Sequence, residues 1–422
     1  LSEKFYSFNN MPKKAVKKVL FVSHKANMSG APLLLLDIVR EFKKQSAVPF
    51  QVLMMEDGNL ANEFRLLGET LIWQKNSQHI SVVEQSLLKK LKYRVNTITR
   101  GAEILFRLRG TSLIFFNTIS NGHILKKLLF LKAKHICYVH ELEAAIHMTT
   151  NKESLQAVLQ NTNLFIACSQ AVKNNLSERH AVPEKNIRVL PAPLATVYRN
   201  KKDYTAFVQV FKDGNAIPAG AIVVGVVGGD EWRKGYDLFL PLISLYTNLY
   251  PASNVFFVWK GCNHRSFNSF FNLYDVEKFS QPNCLLLPHG NDSIDTMASF
   301  DIHLLISRED PYPLVVLEAA SFGIPTVSFC GAGGSTEFIE TDAGISVPYG
   351  NLLSMVAALQ MLITKTEVRN RMGKCAQEKL QVKHARKIAM PAFVSTIEQF
   401  NSPEKSIHEI SGGHLPVLSN LM

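Results

Sequence analysis

The sequence predicts an α/β protein built from two doubly wound parallel sheets, one in each of two domains. Three observations predict it. Short apolar runs rich in β-branched residues alternate with longer stretches of helical periodicity, the pattern of parallel strands joined by crossover helices. After the Pro191-Ala192-Pro193 break the pattern restarts at Ile222, with a second apolar strand and a second glycine-rich turn. A chain of 422 residues with 46% hydrophobic content is also long enough to fill more than one core.

Val19 to Ser23 reads as the first strand. A turn at Gly30 follows, then a helix from Leu33 to Lys44 with Leu36, Val39 and Phe42 on one face. Phe50 to Met55 is a strand, Asn59 to Leu67 a helix, and Ser112 to Phe116, His135 to Val139, Leu164 to Cys168 and Ile187 to Leu190 are further strands. The polar run Arg199 to Lys202 reads as a linker. The second half opens with the Ile222 to Val227 strand and the Tyr236 to Tyr246 helix. Val255 to Lys260, Cys284 to Leu287, Ile302 to Ile306 and Thr326 to Phe329 supply its other strands, Asn351 to Ile363 a late helix and His384 to Phe400 the last one. The expected division is a first domain over 1–197, a second over 198–385, a closing helix over 386–400 and a polar tail over 401–422. Ligands of doubly wound sheets bind beyond the carboxyl ends of the strands, so a cleft between the halves is the expected site.

Composition narrows the class. No stretch reaches the roughly 18 to 20 uninterrupted apolar residues that span a bilayer, and the residues from Leu1 onward run through Lys13-Lys14 and Lys17-Lys18 directly into a strand, unlike a signal peptide. A cytoplasmic protein is expected. The six cysteines (Cys137, Cys168, Cys262, Cys284, Cys330, Cys375) are scattered, without a CxxC pair, and read as reduced, buried thiols. A net charge of +11 suits a protein that meets anions. Much of it lies in the first half, at Lys89 to Arg94, Arg100, Arg107, Arg109, Lys126-Lys127, Lys132 and Lys134, among leucines and phenylalanines. That concentration fits a face resting on an anionic membrane, so peripheral attachment at the inner face of the membrane is an expectation. The alternative for each cluster is a solvated helix face. Nucleic acid is not an expected partner, because no helix-turn-helix, RNP or zinc signature accompanies the charge.

The segment Ser307 to Val327 carries the densest chemistry: a strand end, a loop with Glu309 and Asp310, a helix containing Glu318, and a Gly323-Ile324-Pro325 stop. Pro313 suits a first helical turn and Gly323 a C-terminal cap. Glu318 stands among Val315, Val316, Leu317 and Ala319, where a carboxylate needs a hydrogen-bonding partner, and a ribose or sugar diol is one. The second segment, Gly225 to Asp237, ends a strand in Gly228-Gly229 and places Arg233 and Lys234 before a helix; backbone N–H groups, helix dipole and cations there all favour a diphosphate. The third, Gly331 to Phe338, has glycines that permit a backbone nest.

Taken in this order the motifs resemble the retaining GT-B glycosyltransferases of family 4, also described as glycosyl transferases group 1. Asp310 and Glu318 stand at the spacing of that family's E-x7-E signature, with Asp310 in place of the first Glu, and Lys234-Gly235 match its Lys-Gly. The resemblance implies the GT-B fold, a nucleotide-diphosphate sugar donor carrying GDP, UDP or dTDP, and transfer with retention to a glycan or lipid-linked acceptor in bacterial surface polysaccharide synthesis. It implies that Asp310 meets the donor sugar, Glu318 the ribose hydroxyls, and Lys234 the diphosphate, with Arg233 standing in for the family's arginine, which is Gly229 here. Gly228, Gly229, Gly30, Gly333 and Gly334 fall in its glycine loops, Tyr312 and Leu314 in its donor loop, and His140, with Glu141 in support, in its His-Glu element. Pro311-Tyr312-Pro313 replace the family's Gly-Phe-Gly, and Ala192-Pro193 its Asn-Gly. No DxD pair occurs, so no metal site and no cofactor are expected, and phosphate charge falls to Lys234, Arg233 and backbone N–H groups. A dinucleotide oxidoreductase is disfavoured because no strand leads into G-x-G-x-x-G. The departures at Gly229, Pro311, Pro313 and Ala192 leave a non-catalytic binding relative as the rival reading.

Overall fold

The computed structural model describes residues 17–27, 30–74, 99–194, 198–262 and 281–402. The basic run Lys89 to Arg94 and the expected tail beyond Ser402 lie outside them. In the first half, β1 (Lys18–Ser23), β2 (Phe50–Glu56), β3 (Glu69–Gln74), β4 (Thr111–Phe116), β5 (Lys134–Val139), β6 (Leu164–Ala167) and β7 (Ile187–Val189) form a parallel sheet in the order β3-β2-β1-β4-β5-β6-β7. In the second, β8 (Ile222–Val227), β9 (Val255–Cys262), β10 (Cys284–Pro288), β11 (Ile302–Leu305), β12 (Thr326–Phe329) and β13 (Gly344–Val347) form another, in the order β10-β9-β8-β11-β12-β13. Each sheet reverses its direction of growth once, between β1 and β4 and between β8 and β11. The crevice at that reversal is where such sheets bind ligands.

Buried on both faces, the central strands are continuous apolar runs: Val19 to Val22 and Leu113 to Phe115 are fully buried. The two strands not foreseen, β3 and β13, are both edge strands, and the polar positions in Glu-Thr-Leu-Ile-Trp-Gln and Gly-Ile-Ser-Val dilute their pattern. The Thr366–Lys383 helix was equally hidden, since it buries only Gly373, Ala376 and Leu380. Gly373 lets it approach its neighbour, because a Cβ there would lie 1.9 Å from the Gly323 oxygen.

The chain crosses between the halves twice, side by side. Leu194 N–H donates to the His384 oxygen at 2.9 Å, and the Arg386–Asn401 helix then sends Met390, Phe393, Val394, Ile397 and Phe400 into the core of the first half. Two expectations are corrected. Cys330 is exposed, one residue past β12, and Cys284 and Cys375 are only half-buried, although all six thiols are free. Pro313 stands just outside its helix as the N-cap, with extended backbone (φ −71°, ψ 109°), and the helix begins at Leu314. No described helix is long and apolar enough to cross a membrane.

Candidate active site

The second half builds its side of the site from the loops after β8 and β11, the two strands at its reversal. After β8 the chain passes Gly228 and Gly229 into a short turn, Trp232–Lys234, that ends at Gly235 with φ 76°. Glycine is needed there twice: for that left-handed backbone, and because a Cβ would lie 2.0 Å from the Ile306 oxygen. This close approach brings Lys234 to Asp310. Lys234 Nζ donates to Asp310 Oδ2 at 2.5 Å, and Arg233 Nη1 lies 3.9 Å from Asp310 Oδ1. The two loops are knitted further by Arg308, which donates to both carboxylate oxygens of Asp237, and by its N–H to the Arg233 oxygen at 2.8 Å.

Asp310 is 6% exposed and held by the third motif. Its N–H donates to the Ala332 oxygen at 2.7 Å, and its oxygen accepts the Gly334 N–H at 3.2 Å. Gly333 and Gly334 are themselves buried, and an added Cβ would meet the Asp310 oxygen at 1.8 Å or the Pro311 oxygen at 2.6 Å. They serve close backbone packing behind Asp310, which differs from the open nest the sequence suggested. Tyr312 donates its hydroxyl to His384 Nε2 at 2.9 Å, while His384 Nδ1 bonds the Ala192 oxygen at 3.2 Å. The loop after β11 is thus tied to both chain crossings. A carbonyl can only accept, so Nδ1 carries the proton and the ring is neutral; burial holds the His384 pKa down at about 4.

In the first half His140 directly follows β5 and packs on Tyr138, with ring centroids 4.0 Å apart. Its Nε2 faces Asn117 Oδ1 at 3.3 Å, and Asn117 Nδ2 donates to the Ala31 oxygen at 2.8 Å. With Oδ1 accepting, Nε2 carries the proton and Nδ1 is left as an acceptor. Burial, aided by the nearby His24, pushes the His140 pKa down to about 3, so the ring stays neutral. Glu141 accepts from the Thr118 hydroxyl and from the His140 N–H, bracing that loop. Asn117 had escaped sequence reading because it is a lone polar residue at a strand end; its full burial reveals it.

A cavity of about 530 Å³ lies between the halves, lined by Gly30, Ala31, Leu34, His140 and Cys168 from one and Arg233, Lys234, Asp310, Tyr312 and Leu314 from the other. Gly30 opens the Gly30–Gln45 helix, and a Cβ there would touch only Leu314 Cδ1, at 3.8 Å. Gly228, Gly229 and Glu318 stand outside this lining. Glu318 is half-buried in the Leu314–Ser321 helix, and its carboxyl pKa is raised by burial, against the pull of Arg199. Ser169 caps the Gln170–Asn174 helix, accepting the Val172 N–H at 3.1 Å. Among the described residues no group of His, Cys, Asp and Glu is arranged to hold a metal ion.

The chain and its fold have counterparts among known proteins. Residues 208–379, which contain Lys234, Asp310, Glu318 and the third motif, match the family model described as Glycosyl transferases group 1. Over 136 residues the chain is 29% identical to an uncharacterized glycosyltransferase of Haemophilus influenzae; the match covers 32% of this chain and 37% of that protein, so only about a third of the relative is spanned. The whole architecture resembles Anabaena HepE in complex with UDP, at 17% identity and a TM-score of 0.71, covering 90% of this chain and 100% of that one. It also resembles WaaG, a glycosyltransferase involved in lipopolysaccharide biosynthesis, at 13% identity and a TM-score of 0.64, covering 90% and 99%. The chain therefore has the two-domain GT-B architecture, and its second half carries a Glycosyl transferases group 1 domain.

Proposed function

We propose that this protein is a metal-independent retaining glycosyltransferase of family 4 that moves a sugar from a nucleotide-diphosphate donor to a glycan or lipid-linked acceptor. The observation that carries the reading is the meeting of Lys234, Arg233 and Asp310, which lie in the segment that matches the Glycosyl transferases group 1 model, with His140 across one interdomain cavity. Lys234 and Arg233 stabilise the leaving diphosphate, whose charge grows as the anomeric C–O bond breaks. Asp310 accepts from the donor sugar's hydroxyls, and neutral His140 offers Nδ1 to a sugar hydroxyl. The acceptor oxygen bonds the anomeric carbon on the face the diphosphate leaves, and its proton passes to a diphosphate oxygen.

Glu318 binds the ribose diol in this reading. The support is physical: it is a half-buried carboxyl for which no side-chain hydrogen bond is found among the described residues, and a diol would supply two donors. Gly228 and Gly229 leave room for the diphosphate beside Lys234. UDP is the first nucleotide to test because the HepE structure contains it, with GDP and dTDP next. Synthesis of a bacterial surface polysaccharide at the cytoplasmic face of the membrane, with the basic first domain against anionic lipid, completes the proposal.

The test is a thermal-shift screen with UDP, GDP, dTDP and CDP, repeated on Glu318→Ala. One base is expected to raise the melting temperature, since a ligand at 100 times its Kd adds about 2.7 kcal/mol of stability. The shift should vanish in the variant. No shift with any nucleotide would overturn the reading.

A further inference from the structure

Glu309 is the carboxylate of the donor loop that the proposed reaction leaves unused. Asp310, its neighbour, turns back toward Lys234, whereas Glu309 reaches across the cleft into the first half. There its Oε2 accepts the Ala144 N–H at 2.9 Å and its Oε1 the Ala145 N–H at 3.1 Å. These N–H groups open the Glu143–Thr149 helix, whose own N-cap, Leu142, supplies no side-chain acceptor. The same helix presents Ala145, Met148 and Thr149 to the cavity. Glu309 is also fixed at its backbone to the phosphate side, where its oxygen accepts from Arg233 Nη1 at 3.1 Å and its N–H donates to the Arg233 oxygen at 3.3 Å. One residue therefore links a cation of the donor side to a wall of the acceptor side.

A second carboxylate makes the same kind of contact without the same consequence. Glu337 accepts from the Gln170 and Ala171 N–H groups at 2.8 and 2.9 Å, opening the Gln170–Asn174 helix, and neither residue lines the cavity. Both carboxylates join the halves. Only the Glu309 contact shapes the site.

We propose that Glu309 is a positioning residue: it fastens the Glu143–Thr149 helix to the Arg233 loop, so that this wall of the acceptor pocket is ordered when the donor side is occupied and the halves are closed. The proposal rests on the transferase reading, since the occupant it invokes is a nucleotide diphosphate drawing on Arg233. A carboxylate can satisfy both helix N–H groups at once, whereas the isosteric amide of Glu309→Gln keeps a single accepting oxygen.

The test is backbone hydrogen exchange on the full chain, with and without saturating UDP, in the wild type, Glu309→Gln and Glu337→Gln. In the wild type UDP should increase protection over residues 143–149. In Glu309→Gln that protection should fall about tenfold, the usual weight of a charge-assisted hydrogen bond to a backbone donor, while the Kd for UDP stays within about twofold. Glu337→Gln should expose residues 170–171 and leave 143–149 protected. Unchanged protection over 143–149 in Glu309→Gln overturns the proposal, and so does an equal loss there in Glu337→Gln, which would mean general loosening of the domains. If UDP fails to bind the wild type, the experiment is run with whichever of GDP, dTDP and CDP binds; if none binds, the transferase reading fails on its own account, and the nucleotide-free comparison of wild type with Glu309→Gln still decides whether Glu309 holds the helix. Glu309→Ala, compared by the same readout, covers the case of a poorly folded glutamine variant.

Discussion

The two sides of the interdomain cavity are assembled in different ways. The second half lines it with two short runs, at Glu231 to Lys234 and Asp310 to Leu314, each a loop after one of two adjacent strands. The first half lines it with residues scattered from Gly30 through His140 and Cys168 to Ala192, drawn from two helices and from the loops after three strands. On one side the groups are charged and pair with one another, Lys234 and Arg233 with Asp310. On the other, a neutral histidine is aimed by Asn117, which is itself bound to the Ala31 oxygen. In the proposed reaction a substitution on the second-half, or donor, side should therefore remove charge from the reacting centre, and one on the first-half, or acceptor, side should misplace a neutral group.

The largest effect is expected at Lys234. Lys234→Met should lower kcat/KM by about 10³-fold, the range seen when a group that stabilises developing charge is removed. It also leaves Asp310 buried without its ammonium, which should cost about 3 kcal/mol of folding stability, measurable by urea denaturation. His140→Ala should be milder. A loss of about 10²-fold in kcat with an unchanged Kd for the nucleotide is expected from steady-state kinetics and calorimetry; a nucleotide affinity that falls with kcat would place His140 on the donor side and erase the contrast.

Acidification tests both halves together. Burial holds His140 and His303 down at about 3 and His384 at about 4. The unfolded chain takes up these protons near pH 6.5, whereas the folded chain does not. Stability from these residues is thus complete above about pH 6.5 and declines as pH falls toward the folded values, by about 1.4 kcal/mol per pH unit for each histidine. Melting temperatures measured from pH 7.5 to 5.5 should fall steeply, and His384→Gln should flatten the slope. The smallest effect is expected from Tyr312→Phe, which removes the hydroxyl bound to His384. A loss of about 1 kcal/mol, a few degrees of melting temperature, with nearly unchanged kcat would show that the two flanking prolines already hold the donor loop.

How legible these features were depends on whether the signals around them are local in sequence. Asp310, Glu318 and Lys234 stood out because strand, turn and helix signals surround them within a few residues. Asn117 and the cross-cleft reach of Glu309 did not, since their partners, Ala31 and His140 in one case and Ala144 and Ala145 in the other, lie far along the chain. The glycines of the third motif were recognised as special, but whether Gly333 opens toward a ligand or backs onto Asp310 depends on which backbone lies behind it.

Local pattern was thus enough for two parallel sheets, their glycine turns and the types of side chain beyond the strand ends. Periodicity, capping and backbone freedom act over a turn of helix or a pair of residues, and they are written in neighbouring letters. Folding in space settled the rest: which edge strands complete the sheets, which of two adjacent carboxylates turns to Lys234 and which crosses to the other domain, and how His140 is oriented. Those outcomes depend on hydrogen bonds and close contacts between segments more than 20 residues apart, and no short stretch of sequence contains both partners.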